Sequence, residues 1–586
     1  MANPRLRPIK RFEIPLLVTL KTYQRAWLRD DVVAGLTVCL VMIPSVIAYA
    51  ELLNLPPITG LYAALAASLG YALFASSRHV IAGPDAAICL LAGTSIAPLA
   101  GGDVVRTAVL AAELALLSGG VLLLAARLHL GAMADLLSRP VLIGYLNGAS
   151  LVLVSTQLGK LFGLSLGGEE FFRILRGLFQ QWDAIHLPTL LFGLALIGAL
   201  VVLGWRAPRV PGALAVSALA IGVALVVDLP AAGVAMVGSV PGGLPLPTLP
   251  AAVLADITAL APAAVAIAFL TFSDGILLAQ TFADKNRYEV DANQELVALG
   301  VGNLVAGVLQ GFPVSASQSR SAVVDGSGGR TQVAQLVAAA GLLLFLLLFT
   351  GLIALLPKVA LGAILIVTAL RMLEVASLAQ LYRIDRKDFW LAVVVMVSIL
   401  VAGVVPGIIL GMLLSLIGVL VEISRPRDAV LSRLTRDGKF HDLDQNEPDA
   451  ETIPGLLVYR LYAPLIFANA RHVIGRLREL VDAADRPLHW VIIDAQAITD
   501  MDLTAAQRFG ELCRDLADEG IAIRIADVPR PFREEMLRIG LNDVLGKDAF
   551  YLSVKVAVEA YQRHYPELAA RPLRERYVTA SEKDGP

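Results

Sequence analysis

The sequence predicts a polytopic all-α membrane domain followed by a smaller α/β domain, and three observations carry that prediction. Hydrophobic residues make up 57% of the 586-residue chain and charged residues only 17%, with a mean hydropathy of +0.71. That balance is too apolar for a soluble chain of this length, whereas helical spans of roughly 20 apolar residues account for it. The apolar character is concentrated in residues 31–423, which leave room for about 12 to 14 spans. After about Ser424 the pattern changes to short alternating and helical stretches.

Residues 1–30 come first. They hold Arg5, Arg7, Lys10, Arg11, Lys21, Arg25 and Arg29 ahead of the first span. By the positive-inside rule this bias puts the N-terminus in the cytoplasm. No short apolar core with a small-residue cleavage site precedes it, so the first span is expected to act as a signal anchor. The polar C-terminal region is expected on the same side, which requires an even number of crossings.

Within 31–423, Gly and Pro punctuate the apolar run at Pro44, Gly83-Pro84, Pro140, Pro313, Pro357 and Pro406, and loops or broken helices are expected there. Pro84 lies about 53 residues past Asp31 and Pro313 about 53 past Leu260. Paired broken helices in two halves are the sequence pointer to a transporter site. Residues 424–452 are read as a linker.

Residues 453–569 read as the α/β domain. A strand is expected within Gly455 to Phe467, a helix over Arg471 to Ala483 and a buried strand at Trp490 to Asp494. A helix over Thr504 to Glu519, a strand at Ile521 to Ile525 and a helix over Pro531 to Ile539 follow. The tail, 570–586, is rich in Arg, Glu, Lys and Ser and is expected to be disordered.

Charge and cysteine content exclude several classes. A formal net charge of -2 gives no basic excess, which argues against nucleic-acid binding. Cys39, Cys89 and Cys513 share no metal-ligand spacing and support neither a disulfide framework nor a zinc site. No nucleophile–base set, phosphate loop or metal motif occurs, so neither enzyme chemistry nor a cofactor is expected.

Two stretches remain for function. Asp274 sits in a long apolar segment that begins near Ala263, and ionisable groups in spans usually mark an ion or substrate path. The competing reading is an Asp near a helix end that reaches water or pairs with a basic neighbour. After Gly311-Phe-Pro313 come Ser315, Ala316, Ser317, Gln318, Ser319, Arg320 and Ser321. A half-helix starting here offers free N–H groups, hydroxyl donors and a guanidinium suited to oxyanions; an ordinary solvated loop is the alternative.

The opposing half-helix is expected after Gly83-Pro84, with Ala86, Ala87 and Ile88 as backbone donors. Asp85 is read first as a helix cap and second as a substrate group. A nearby Arg320 is expected to act on Asp274. Glu113 stands as a lone acid in an apolar run that faces a bundle interface.

Together these residues resemble the sulfate permease (SulP) family of anion transporters. The likeness is carried by Asp31-Val-Val-Ala-Gly35, Ile43-Pro44-Ser45, Tyr49-Ala50, Gly60-Leu-Tyr62, Gly83-Pro84, Asn293-Gln-Glu295, Gly302-Asn303, Phe312-Pro313, Ser319-Arg320-Ser321 and Gly328-Gly-Arg-Thr331. The resemblance implies 14 spans in two inverted repeats of seven, a core and a gate, elevator-type alternating access and a homodimer. It implies that the third and tenth spans meet at the anion, with Ser45 and Tyr49 shaping the pocket and Asp274 coupling an ion. The family often has Gln at Ser45, Thr at Ser321 and Glu at Asp274, and Asp at the last position resembles some sodium-coupled bicarbonate members.

The C-terminal domain resembles the STAS domain through Val458-Tyr-Arg460, Leu465-Ile-Phe467, Ile493-Asp494 and Asp500-Met-Asp-Leu-Thr504. Thr504 falls where related signalling domains carry a phosphorylatable residue, and helix N-capping is its alternative role. The expectation is a proton-coupled sulfate transporter of the inner (plasma) membrane with both termini cytoplasmic. A sodium-dependent bicarbonate symporter, a dicarboxylate or chloride transporter, an anion channel and a membrane-tethered signalling module are the other readings. The partners expected are a small inorganic anion, H⁺ or Na⁺, membrane lipid and a second copy of the chain.

Overall fold

The computed structural model describes residues 14–131, 138–166, 170–207, 210–238, 242–244, 246–250, 253–434, 440–442, 450–484 and 486–569. The expected disordered tail at 570–586 lies outside the described residues. Contacts group the chain into two units that part at Ser415 and Leu416.

In the first unit a short helix α1 (Pro15–Lys21) leads into α2 (Trp27–Leu52), α3 (Pro57–Phe74), a two-residue strand β1 (Ala82–Gly83), α4 (Ala86–Ala100), α5 (Val104–Arg127) and α6 (Arg139–Phe162). An amphipathic α7 (Phe171–Gln180) precedes α8 (Leu187–Arg206) and α9 (Gly212–Val226). The second half runs through α10 (Leu254–Asn286), α11 (Ala292–Val308), β2 (Ser315–Ala316), α12 (Gln318–Gly326), α13 (Val333–Leu348), α14 (Lys358–Met372), α15 (Val375–Ile384), α16 (Arg386–Ala402) and α17 (Val404–Ser424). Eight helices among the described residues are long and apolar enough to cross a membrane, and shorter apolar helices lie between them.

The halves are related by exchange. Seven elements in one half (α2–α6, α8, α9) match seven in the other (α10–α14, α16, α17). Helix α2 packs on α13 as α10 packs on α5, and α12 packs on α2 as α4 packs on α10. Likewise α5 meets α11 as α13 meets α3, and α6 meets α16 as α14 meets α8. The α3–α11 and β1–β2 contacts lie on the exchange itself, as inverted repeats require.

The same contacts separate a core from a gate. Helices α2–α5 and α10–α13 pack among themselves, while α6, α8, α9, α14 and α16 form a second group. Close backbone approach within the core depends on small residues: a Cβ on Gly70 would come 2.9 Å from the Cα of Gly302. Between the groups, Lys160 on α6 donates to Glu51 on α2 at 2.9 Å.

Proline does less to the helices than the sequence suggests. Expected as a break, Pro44 lies inside an uninterrupted α2. Neighbouring helices bury this stretch, and the Ser45 hydroxyl donates to the Val41 carbonyl at 3.3 Å, so local side chains serve backbone groups where the ladder is weakened.

Buried polar side chains explain several motifs. Asp31 accepts from the N–H groups of Arg330 and Thr331, from the Thr331 hydroxyl and from Tyr23. Burial and the Asp31 hydrogen bond push the Tyr23 phenol up to about 12. Glu295 on α11 accepts from Tyr71, from the Ser76 hydroxyl and from the N–H groups of Ser76 and Ser77. Asn303 clamps Val314, donating to its carbonyl at 2.9 Å and accepting from its N–H at 3.0 Å.

The second unit is an α/β domain. It comprises β3 (Asp428–Leu434), β4 (Phe440–Asp442), β5 (Ala450–Glu451), β6 (Leu456–Leu461), α18 (Ala470–Asp482), β7 (Trp490–Asp494), α19 (Leu503–Asp518), β8 (Ala522–Ala526), α20 (Arg530–Arg538), α21 (Leu541–Leu545), β9 (Phe550–Tyr551), α22 (Val554–His564) and α23 (Pro566–Ala569). Strands β6 to β9 pair in parallel, and β3 joins β6 antiparallel, with Val430 opposite Tyr459.

Part of the expected linker is therefore sheet, because β3 finds an edge at β6 that turns its alternating pattern into a ladder. Along β6, Leu457 and Tyr459 face Val473, Leu477 and Phe509 of α18 and α19, while Leu456 and Val458 face Val554, Ala557 and Tyr561 of α22. Arg460 donates twice to Asp494, at 2.8 and 2.6 Å, joining β6 to β7.

Asn303 supplies the first prediction. Asn303→Ala leaves the buried N–H and carbonyl of Val314 without their partner, which costs roughly 1–3 kcal/mol. The thermal midpoint of the purified protein in detergent is expected to fall. An unchanged midpoint would show that the clamp contributes nothing.

Candidate functional site

The site forms where β1 and β2 cross. They pair antiparallel, Ala82 opposite Ala316 and Gly83 opposite Ser315, so α4 and α12 start from a common point. Ser315 and Ala316, expected at a helix start, are strand residues. The reason is local: Asn303 holds Val314 extended, and the Ser317 N–H donates to the Ile81 carbonyl at 3.0 Å. Helix α12 then begins at Gln318 with Ser317 at its N-cap position.

Further braces come from α12 and α13. Ser321 donates to the Ser317 carbonyl at 2.7 Å and accepts from the Ile81 N–H at 2.9 Å. Gln332 donates to the carbonyls of Ser77 and Val80, and Gln335 to that of Ala82. Sequence reasoning missed both glutamines, although two amides in an otherwise apolar helix start were the available signal.

The two helix starts differ chemically. At α4 the Asp85 side chain accepts from the Ala87 N–H at 3.2 Å, so Asp85 is a cap and Ala87 is not the open donor the sequence suggested. Ala86 and Ala87 are buried beside it. At α12 no side chain caps the first turn. The Ser317 and Ser319 hydroxyls lie 3.4 Å apart, Ser317 buried and Ser319 exposed next to exposed Gln318.

Arg320 is the outstanding group. It is 3% exposed, yet its Nε and Nη2 have no hydrogen-bond partner among the described residues. Its guanidinium lies against Gly83, where a Cβ would stand 3.1 Å from Nη2. Asp85 and Tyr49 are within electrostatic reach, but neither forms an ion pair or hydrogen bond with it. A buried cation without a paired acceptor is costly, so this geometry suits an anion.

Asp274 lies on α10, half-buried, with no hydrogen bond or ion pair among the described residues. The charged group that acts on it is Asp85, not Arg320 as the sequence suggested. The neighbouring Thr271 and Ser273 hydroxyls are buried and unpartnered. Ser45 and Tyr49 lie on α2, Ser45 half-buried and Tyr49 buried. Tyr145 on α6 was not anticipated; it is buried, its hydroxyl has no partner among the described residues, and it interacts electrostatically with Asp274 and Asp85.

In the α/β domain, Thr504 is exposed in the first turn of α19. It is not the N-cap: Asp502 takes that place, accepting from the Ala505 N–H at 2.8 Å and from Phe467 N–H at 2.6 Å. Cys513 is buried, which pushes its thiol up to about 12.

Comparison with known proteins matches this architecture. The sulfate permease family description fits residues 28–395, and the STAS domain description fits residues 447–557. A Mycobacterium tuberculosis protein named as a probable sulfate transporter is 39% identical over 94% of this chain and 98% of its own length. A chloroplastic sulfate transporter of Arabidopsis thaliana is 27% identical over 93% and 82%. Among solved structures, murine solute carrier 26 member A9, an anion transporter in the inward-facing state, superposes with a TM-score of 0.88 at 21% identity over 96% of each chain. The transmembrane domain of a cyanobacterial bicarbonate transporter gives 0.58 at 20% identity over 67% of this chain and 98% of its own. This chain is thus a multi-pass membrane protein belonging to the sulfate permease family, with a C-terminal STAS domain.

Proposed function

We propose that the protein is a secondary active anion transporter, rather than an enzyme, that takes up sulfate together with protons. The observation that carries the reading is the buried, unpartnered guanidinium of Arg320 beside the uncapped start of α12. A helix N-terminus and an arginine converge there on one small volume, which suits an oxyanion. The names of the related transporters favour sulfate.

In this reading Arg320 attracts the anion, while Ser317, Ser319 and the first N–H groups of α12 ligate it. Ser315, Ala316 and Gln318 set the approach, and Ala86, Ala87, Ser45 and Tyr49 close the other side. Asp274 exchanges the coupling proton. The core group carries the site past the gate group as an elevator. The chain works as a homodimer in the inner (plasma) membrane with cytoplasmic termini, and Thr504 is a regulatory position whose phosphorylation adds charge at the start of α19.

A second reading, sodium-coupled bicarbonate uptake, is favoured by one observation: one turn before Asp274 on the same face of α10, the Thr271 hydroxyl is buried with no partner among the described residues, an oxygen of the kind a hard cation takes. Radiolabelled uptake into proteoliposomes separates the two. An imposed proton gradient is expected to drive sulfate accumulation, and Asp274→Asn to abolish it while leaving anion exchange. Sodium-driven bicarbonate accumulation would replace the first reading with the second.

Arg320→Ala is expected to weaken sulfate binding by about thirtyfold or more, corresponding to at least ~2 kcal/mol for a truncated buried charge. Gly83→Ala presses on the guanidinium and is expected to weaken binding less, by several-fold. Unchanged affinity in both, read by calorimetry, would remove Arg320 from the site.

The elevator step has its own test. If core slides against gate, the Lys160–Glu51 contact between α6 and α2 must break in each cycle. Bridging Glu51→Cys to Lys160→Cys with a short thiol-specific cross-linker is expected to stop uptake. Uptake that persists after complete cross-linking would rule out the sliding motion.

A further inference from the structure

Helix α5 carries a carboxylate that the anion site does not use. Glu113 is the tenth of its 24 residues, about 14 Å along the helix from its start. It is 3% exposed, and neither Oε1 nor Oε2 has a partner among the described residues. Arg106, Leu110 and Glu113 follow a spacing of four and three, which puts them on one face of α5.

That face meets α10. Arg106 donates from Nη2 to Asp256 Oδ1 at 2.6 Å, while Asp256 Oδ2, on a residue 7% exposed, has no partner. Asp256 and Arg106 are the charged groups whose fields reach Glu113. Helix α4 contains no Asp, Glu, Lys or Arg, and the one acid of α11, Glu295, is held at the start of that helix by Tyr71, Ser76 and Ser77. Among the described residues, the four carboxylate oxygens in this seam therefore share a single donor, Arg106.

The internal repeat supplies the control. The seam related to α5–α10 by exchange of the halves is α13–α2, and it too contains a buried acid, Asp31. There the carboxylate accepts from four donors. Equivalent packing thus gives the buried acid of one seam a full set of donors, while in the other three of four carboxylate oxygens have no partner among the described residues. Without donors, an ionised Glu113 would bear nearly the full cost of desolvation, whereas a carboxylic acid does not.

We propose that the α5–α10 seam is a proton-binding site, separate from Asp274, in which Glu113 takes up a proton from water and Arg106 holds Asp256 beside it. Arg106, the third residue of α5, is partly exposed, at 36% of its side chain, which makes that end of the seam the proposed entry for water. The proton binds one Oε of Glu113 and leaves by the same route; nothing else is consumed. Because α10 also carries Asp274, occupancy of this seam acts on the helix that bears the proposed coupling acid.

The test is infrared difference spectroscopy of the full-length protein in lipid vesicles, stepped through pH in H₂O and in D₂O without added anion. It therefore reads the same whether or not sulfate is the substrate. A carboxylic-acid carbonyl band that shifts in D₂O is expected, retained in Asp274→Asn and lost in Glu113→Gln. Arg106→Gln, at the partly exposed end of the seam, is expected to move the band's midpoint to higher pH by about one unit, since a positive neighbour is removed. A band that persists in full in Glu113→Gln overturns the proposal. So does an unmoved midpoint in Arg106→Gln, which keeps the test decisive if Glu113→Gln fails to fold.

Discussion

The antiparallel pairing of two residues with two others, Ala82 and Gly83 with Ala316 and Ser315, is the constraint on which the membrane domain depends. Strands this short have no stability of their own. They persist because side chains from three helices occupy the backbone groups that the crossing leaves open. Asn303 of α11 holds Val314, Ser321 of α12 bridges Ser317 to Ile81, and Gln332 and Gln335 of α13 take the carbonyls that lead into β1. The crossing is thereby fused to the core helices, and whatever lies between the half-helices belongs to the core rather than the gate. Tyr145, on α6, is a gate side chain whose electrostatic interactions with Asp274 and Asp85 reach toward it from outside.

The repeat is symmetric in backbone and asymmetric in chemistry. Both half-helices start at the crossing, but α4 has its own carboxylate as a cap and α12 has none. A helix start satisfied by Asp85 has little left to offer an anion, since the cap both occupies N–H groups and opposes the dipole. The α12 start keeps its dipole and adds Arg320. In the proposed site one half of the duplicated scaffold would thus provide geometry and the other attraction. A similar division separates the two acid-bearing seams, where Asp31 is satisfied and Glu113 is not.

The sequence made the large features legible because they follow from composition and punctuation. Length and apolarity gave the membrane domain, and Gly83-Pro84 and Phe312-Pro313 gave the two interruptions. Strands β6, β7 and β8 and helices α18 to α20 matched their expected spans to within a few residues, because alternation and helical spacing are local properties. Strand β3 was not legible, since Asp428 to Leu434 becomes sheet only through its partner β6. Helix α22 was missed for the same reason; its apolar face has meaning only once Leu456, Val458 and Trp490 line the far side of the sheet. Within the site, residue types were readable but partners were not. Nothing local says that Asp85 takes the Ala87 N–H, or that Asp85 rather than Arg320 acts on Asp274.

The charges around the crossing bear on the proposal that an anion and a proton travel together. Asp85 lies within electrostatic reach of both Arg320 and Asp274, so one fixed cation and two acids are linked through it. With both acids ionised the group is negative before any substrate arrives, and a sulfate dianion, the proposed substrate, would make it more so. Moving that charge past an apolar gate is opposed by desolvation, which grows steeply with net charge. A further arginine would hold the anion but could not release it, because its charge does not vary. A carboxyl group can vary: in the proposed cycle a proton on Asp274 would offset charge while the dianion is bound and would depart when it leaves. By linkage, the factor by which the anion favours that proton equals the factor by which the proton favours the anion. Coupling of the proposed kind would need no direct contact between the two ligands, only Asp85 acting on Arg320 on one side and on Asp274 on the other.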